Sequence, residues 1–163
     1  MKIAKYFNKL HESKEFKNFQ NKHKDSYFCA GFFVLDFENG KNMHQLDYYH
    51  PKSKKVTTFM LDKGIEEKIS EQLMKKKPLK LDTKTKIDLD ALKGIVEDEM
   101  KNHTITEKIK KIIAILQVID GKKIWNLNCI TSGMGLLKVH VDDETDTILK
   151  FEKVDLMDII RKV

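Results

Sequence analysis

No segment of this chain approaches the ~18 continuous apolar residues of a membrane-spanning helix. Its longest apolar stretches, around residues 28–37 and 112–119, are strand-sized. The first fourteen residues, Met1–Lys14, also lack an apolar run long enough for a signal peptide. The expectation is therefore a soluble, cytoplasmic protein with no membrane partner. Arginine is almost absent: Arg161 is the single one among 31 basic residues. A net charge of +6 suggests nucleic acid. Readers of nucleic acid, however, favour the planar guanidinium for bidentate contacts, and here acidic residues are interspersed with the lysines. Composition thus argues against nucleic acid as a partner. Two prolines and seven glycines leave no Ser/Gly-rich linker to separate domains. The two cysteines, Cys29 and Cys129, are too far apart for a metal-ligand spacing or a redox motif and read as reduced core thiols.

What the chain does contain is internal likeness. Residues 35–49 align without a gap on residues 116–130, at a spacing of 81, and both read as strand, turn, strand. Their turns, Asn39-Gly40 and Asp120-Gly121, are dipeptides favoured in type I′ hairpins. Residues 48–59 align on 140–151 at a spacing of 92, so an added strand is expected near 131–141. Helical spacing appears upstream of each hairpin, over 2–23 and over 88–101, with Asp88 as an N-cap. Terminal amphipathic helices are expected over 64–76 and 154–163. The fold class that follows is α+β: tandem duplicated units of helix plus antiparallel β-meander, with helices packed on one sheet face. The units are 1–76 and 88–163, joined by a connector at 77–87, and the absence of a Ser/Gly-rich linker makes them parts of one compact body.

Strand alternation separates two faces. If Asp120-Gly121 closes its hairpin, Trp125, Leu127, Cys129, Leu137, Val139 and Val141 share an apolar face. Phe33, Leu35, Leu46 and Tyr48 are their counterparts in the first half, with His44 standing where the second half has Trp125. The opposite face carries Gln45, Asp47, Tyr49, Asn126, Asn128, Lys138 and His140. An antiparallel sheet can simply expose such a row to water. Yet Phe32, Val34, Ile113 and Ile115 point to the same side. Large apolar groups there call for a cover: terminal helices, the other half of the chain, or a second subunit as in a homodimer.

No catalytic constellation forms on paper. His44 and His50 with Asp47 would make a poor metal site, because His44 and Asp47 point to opposite faces of one strand. Cys129 and His140 fail as a nucleophilic pair for the same reason. Asp142, Asp143, Glu144 and Asp146 lack the spacing and glycine of an EF-hand and read as a charged hairpin turn. Lys75–Lys77 reads as a solvated helix end, and Gly133–Gly135 is too short to cradle a phosphate. Neither a cofactor nor a metal is expected.

Residues 137–149, a strand ending in Val139-His-Val-Asp142 that leads through a turn into a second strand, resemble the closing hairpin of a PepSY-type domain. Trp125 suits the aromatic position of the preceding strand, and Asp146 stands where that family usually has glycine. The resemblance covers roughly residues 88–153, and reaches the first half only through the internal alignment. It implies a non-catalytic module of the kind associated with peptidase inhibition or regulation and with cell-envelope settings, and it supplies no active-site residues. The functional expectation is a non-enzymatic module binding a protein or peptide through the polar sheet face. The alternative is a small-molecule-binding protein or enzyme with a pocket between sheet and helices.

Overall fold

The computed structural model describes residues 2–155. Two short helices, α1 (Ile3–His11) and α2 (Lys14–Lys22), open the chain. Strands β1 (Tyr27–Asp36), β2 (Met43–His50), β3 (Lys55–Met60) and β4 (Glu66–Ile69) follow. After a long connector come α3 (Leu89–Asn102), then β5 (Ile109–Ile119), β6 (Lys122–Thr131), β7 (Gly135–Asp142) and β8 (Ile148–Asp155). All eight strands join one antiparallel sheet in the order β4-β3-β2-β1-β5-β6-β7-β8. None of the described helices is long and apolar enough to cross a membrane.

This architecture corrects the expected fold class. The protein is not a pair of helix-plus-meander units but a single, sheet-dominated body with three short helices on one face. The cause lies in the pairing of β1 with β5, which runs from Gly31↔Leu116 to Asp36↔Lys111 and makes the two meanders one sheet. Strand counts of the two halves are also equal among the described residues, so the second half carries no added strand there. Glu66–Ile69, expected within a helix, pairs with Thr57–Met60 as edge strand β4. Of the helical stripe expected over 64–76, Ile69 and Leu73 are both more than half exposed and bury against nothing. Pairing with β3 instead satisfies backbone groups that the edge would leave open. The terminal helix expected over 154–163 begins with Val154 and Asp155 in β8, and its remaining residues lie outside those described.

The long helix expected over 2–23 divides at Glu12-Ser13. Ser13 is extended, and its hydroxyl accepts from the Phe16 amide at 3.1 Å, so it starts a new helix. The break lets Ile3, Phe7 and Leu10 of α1 and Phe16 and Phe19 of α2 each reach the same core. Helix α3 buries Leu89, Leu92, Val96 and Met100 at near-helical spacing. Asp88 occupies its N-cap position, but its carboxylate makes no capping bond, contrary to expectation.

Register was readable at one hairpin and not at the other. Asp120 and Gly121 have φ of +51° and +76°, as a type I′ turn requires, and Leu116↔Trp125, Ala114↔Leu127 and Ile112↔Cys129 pair as alternation demands. At Asn39-Gly40 only Gly40 has positive φ. There the Asp36 carboxylate accepts from the Glu38 and Asn39 amides, and Asn42 accepts from the Asp36 amide, so a six-residue loop replaces the tight turn. Across this hairpin Phe33 faces His44. The Phe33 ring folds over Gly31, where an added Cβ would lie 2.7 Å from it, and it touches both His44 and Trp125 at centroid distances of 6.0 and 5.8 Å.

The hairpins β2–β3 and β7–β8 turn alike. Lys54 (φ +58°) donates its amide to the His50 carbonyl, and Asp146 (φ +61°) donates to Asp142, each at 3.0 Å. Asp146 thus takes the left-handed conformation that favours glycine.

Within the second turn, Asp143 is 1% exposed. Its Oδ1 accepts from the Trp125 indole at 3.0 Å and the Ile87 amide at 3.1 Å, and its Oδ2 accepts from the Lys86 amide at 3.1 Å. The Lys123 ammonium stands 3.9 Å away. A buried carboxylate costs several kcal/mol to desolvate and is tolerated only when so surrounded. Asp143→Ala, which strands three donors, is expected to lower the unfolding free energy by about 3 kcal/mol. Asp143→Asn should cost about half as much, since it keeps an acceptor for Trp125. Urea unfolding of the two variants checks this ranking, and equal losses would show that charge, not donor satisfaction, dominates.

Candidate functional site

Helices cover one face of the sheet, where Phe59, Leu46, Phe33, Ala114, Leu127 and Val139 are fully buried. By strand alternation the other face carries the row expected from the sequence, Gln45, Asp47, Tyr49, Asn126, Asn128, Lys138 and His140. Cross-strand pairing sets Met60, Gln45, Phe32, Ile115, Asn126, His140 and Lys150 side by side across seven strands. A second row runs Met43, Val34, Ile113, Asn128, Lys138 and Glu152. Phe32, Val34, Ile113 and Ile115 therefore form a contiguous quartet on the two central strands, each partly exposed. Polar groups flank it on both sides. Among the described residues no helix lies over this quartet.

The flanks differ in chemistry. On the β2 side Asp47 accepts from Thr58 Oγ1 at 2.8 Å and from Gln45 Nε2 at 3.1 Å, a closed polar triad. Burial raises the Asp47 carboxyl above the usual range, against the opposing effect of those two bonds. Tyr49, expected on this surface, is instead buried beside Tyr27, whose hydroxyl donates to the Pro78 carbonyl at 2.6 Å. It belongs to the connector's footing and not to an accessible row. On the β6–β7 side Asn126, Asn128, Lys138 and His140 are half-buried. Burial, then the Lys150 ammonium, pushes the His140 imidazole below its ordinary value.

Clusters on the helix face are structural. His44 bonds Asp62 through its ring Nδ1 at 2.7 Å and its backbone amide at 2.8 Å, and Tyr6 stacks on it at 4.0 Å. His50 is held by Ser53 and by Thr57 at 3.0 Å and stacks on His23. Cys129 lies on the core face and His140 on the other, and burial drives both thiols, Cys29 and Cys129, up to about 12. No group of three or more His, Cys, Asp or Glu among the described residues is placed to hold a metal ion.

Sequence reasoning missed one feature on this side. A cleft of about 570 Å³ opens between the helices, the start of β1 and the connector. On its wall His11 Nε2 and the Tyr48 hydroxyl meet at 2.8 Å. Burial lowers the His11 imidazole and raises the Tyr48 phenol, so both are neutral near pH 7. His11 precedes Tyr48 by 37 residues, and the packing of α1 against the sheet brings the two together. Nothing in the sequence signals that meeting.

The depressed histidines set a pH dependence. His11 and His50 are both lowered chiefly by burial, so the unfolded chain takes up protons first as pH falls through ~6.5. Stability should be level above pH 7 and decline from there to pH 5.5. Denaturant unfolding across that window checks the sign, and a constant or rising stability would mean that these rings are open to water.

Comparison with known proteins adds a fold and no family. No family model matches the chain, and no curated protein does. A solved structure from Clostridium difficile 630, described as a "putative lipoprotein", superposes with a TM-score of 0.57 at 16% identity, over 86% of this chain and 90% of that one. At that identity the likeness is one of fold alone.

Proposed function

We propose that the chain is a non-catalytic recognition module whose uncovered sheet face binds a protein or peptide. One observation carries the reading: the Phe32–Val34–Ile113–Ile115 quartet, apolar, contiguous and without a helix over it among the described residues. Two central strands that are apolar on both faces shed free energy when something covers the outer one, at ~25 cal/mol for each Å² of apolar surface removed from water. The amides of Asn126 and Asn128 and the cation of Lys138 rim that strip. They supply the directional bonds that an apolar patch lacks. A regulatory role of the PepSY kind, suggested by residues 137–149, would suit such a face.

A second reading places a small neutral ligand in the cleft beside His11 and Tyr48, where aromatic walls from Phe16 and Phe28 accompany polar groups from Gln20 and Thr83.

One experiment separates them. Peptides selected from a random displayed library against the immobilised chain are titrated into isotope-labelled protein. Shift changes are expected at Phe32, Ile113, Ile115 and Asn126. Ile115→Lys should weaken binding by roughly tenfold or more through loss of about 1.4 kcal/mol of apolar contact. Changes confined to His11, Tyr48 and Thr83 would favour the cleft, and selection of no binding peptide would count against the sheet face.

A further inference from the structure

The sheet ends on one side in β4 and on the other in β8. β4 has four residues, all exposed, and offers little to pair with. β8 has eight, and its ladder with β7 is regular from Lys150 to Asp155. Alternate N–H and C=O groups of such a strand point away from the sheet, and over residues 148–154 no described residue pairs with them. Edges are commonly protected by lysines, which repel an incoming copy of the same strand. β8 departs from that rule in a specific way. Lys150 and Glu152 lie symmetrically about Phe151 and carry opposite charge. They stand on the face that β7 marks with His140 and Lys138, with their charged ends 3.8 Å apart and about half exposed.

Two copies of β8 can pair antiparallel about a two-fold axis, and the charges select the register. Centred on Phe151, each Lys150 faces the Glu152 of the other copy, twice over, and the two Phe151 rings meet on the helix side. A shift that centres the pair on Lys150 sets lysine against lysine. The opposite shift sets Glu152 against Glu152. Registers that pair odd with even residues place the helices of the two copies on opposite sides of the sheet. Only the Phe151-centred arrangement joins opposite charges while keeping both helical layers on one side. Each Phe151 is already backed by His103, stacked at 4.4 Å, which fixes its ring for the contact. Leu149, 48% exposed, would gain cover from the aliphatic stem of the facing Lys153.

We propose that β8 is a self-association edge whose occupant is a second copy of this chain, giving a continuous antiparallel sheet through the dimer axis. This goes beyond the recognition face: it concerns the rim of the sheet and not its surface, and it stands or falls independently of peptide binding.

Charge-swap sedimentation tests it on the full chain. The unmodified protein should show a concentration-dependent monomer–dimer equilibrium. Lys150→Glu alone creates two Glu–Glu contacts, and Glu152→Lys alone creates two Lys–Lys contacts. Each should weaken self-association by roughly tenfold or more, since like charges directly opposite are destabilising. An equimolar mixture of the two variants restores both opposite-charge pairs and should recover a heterodimer at near-original affinity. Circular dichroism on each variant confirms that the fold is kept. An unmodified chain that stays monomeric into the millimolar range would overturn the proposal. So would a dimer indifferent to either substitution, or variants that weaken and do not recover on mixing.

Discussion

Everything in this molecule hangs on a carboxylate in the wrong place for a carboxylate. Asp143 sits in a turn, yet it is sealed from water and accepts from an indole and two backbone amides. Those amides belong to Lys86 and Ile87, the two residues before the Asp88 N-cap of α3. The indole belongs to β6, and the backbone amide of Asp143 itself donates to the Lys123 carbonyl at 3.0 Å. One side chain therefore ties the end of the connector, the entry to α3 and two strands to a common point. Leu89 and Leu92 follow within a turn and a half of that point, so where α3 lies on the sheet is decided there. The connector is pinned at several places along one end of the sheet. Besides Asp143 these are the Leu81 amide on the Phe28 carbonyl and the Tyr27 hydroxyl on Pro78.

How much of this was legible depends on which interactions are local. Period-two alternation gave both faces correctly for β5, β6 and β7, because Asp120-Gly121 fixes the register of that hairpin by backbone preference alone. It also gave the core face of β1 and β2, where Phe33, Leu35, His44, Leu46 and Tyr48 are all buried, but the type I′ turn expected at Asn39-Gly40 did not form. There the side chains of Asp36 and Asn42 outbid the dipeptide, and a six-residue loop took the place of the tight turn. Residues 64–76 misled differently. Ile65, Ile69 and Leu73 have helical spacing, but a helix needs a surface to bury its stripe against, and the edge of β3 offered backbone bonds instead. Asp143 was invisible for a third reason: among Asp142, Glu144 and Asp146 it looks like one more surface charge. Its signal, if any, was Trp125, whose indole N–H must find an acceptor once buried.

The candidate surface was legible to the same degree. Gln45, Asp47, Asn126, Asn128, Lys138 and His140 share the face assigned to them, because alternation is enough to place them. Tyr49 shares the parity but not the exposure, since the connector folding over the end of the sheet is a tertiary event. The fully buried face and the half-covered one divide the labour of the sheet. Trp125, Phe33 and Leu127 make stability on one side, and the Phe32–Ile115 quartet leaves the other unfinished.

The order of strands also dictates a sequence in time. Seven neighbouring pairs make the sheet, and six of them join strands consecutive in the chain. Each of these closes a short loop and can form early at small entropic cost. The exception is β1 with β5, whose facing residues Asp36 and Lys111 bracket β2, β3, β4, the connector and α3. That single closure carries nearly all the topological difficulty of the molecule. Until it happens, the edges of β1 and β5, with their runs of Phe, Val and Ile, stand open in a nascent chain. Crowded synthesis would thus expose these adhesive strands of the protein for the longest time.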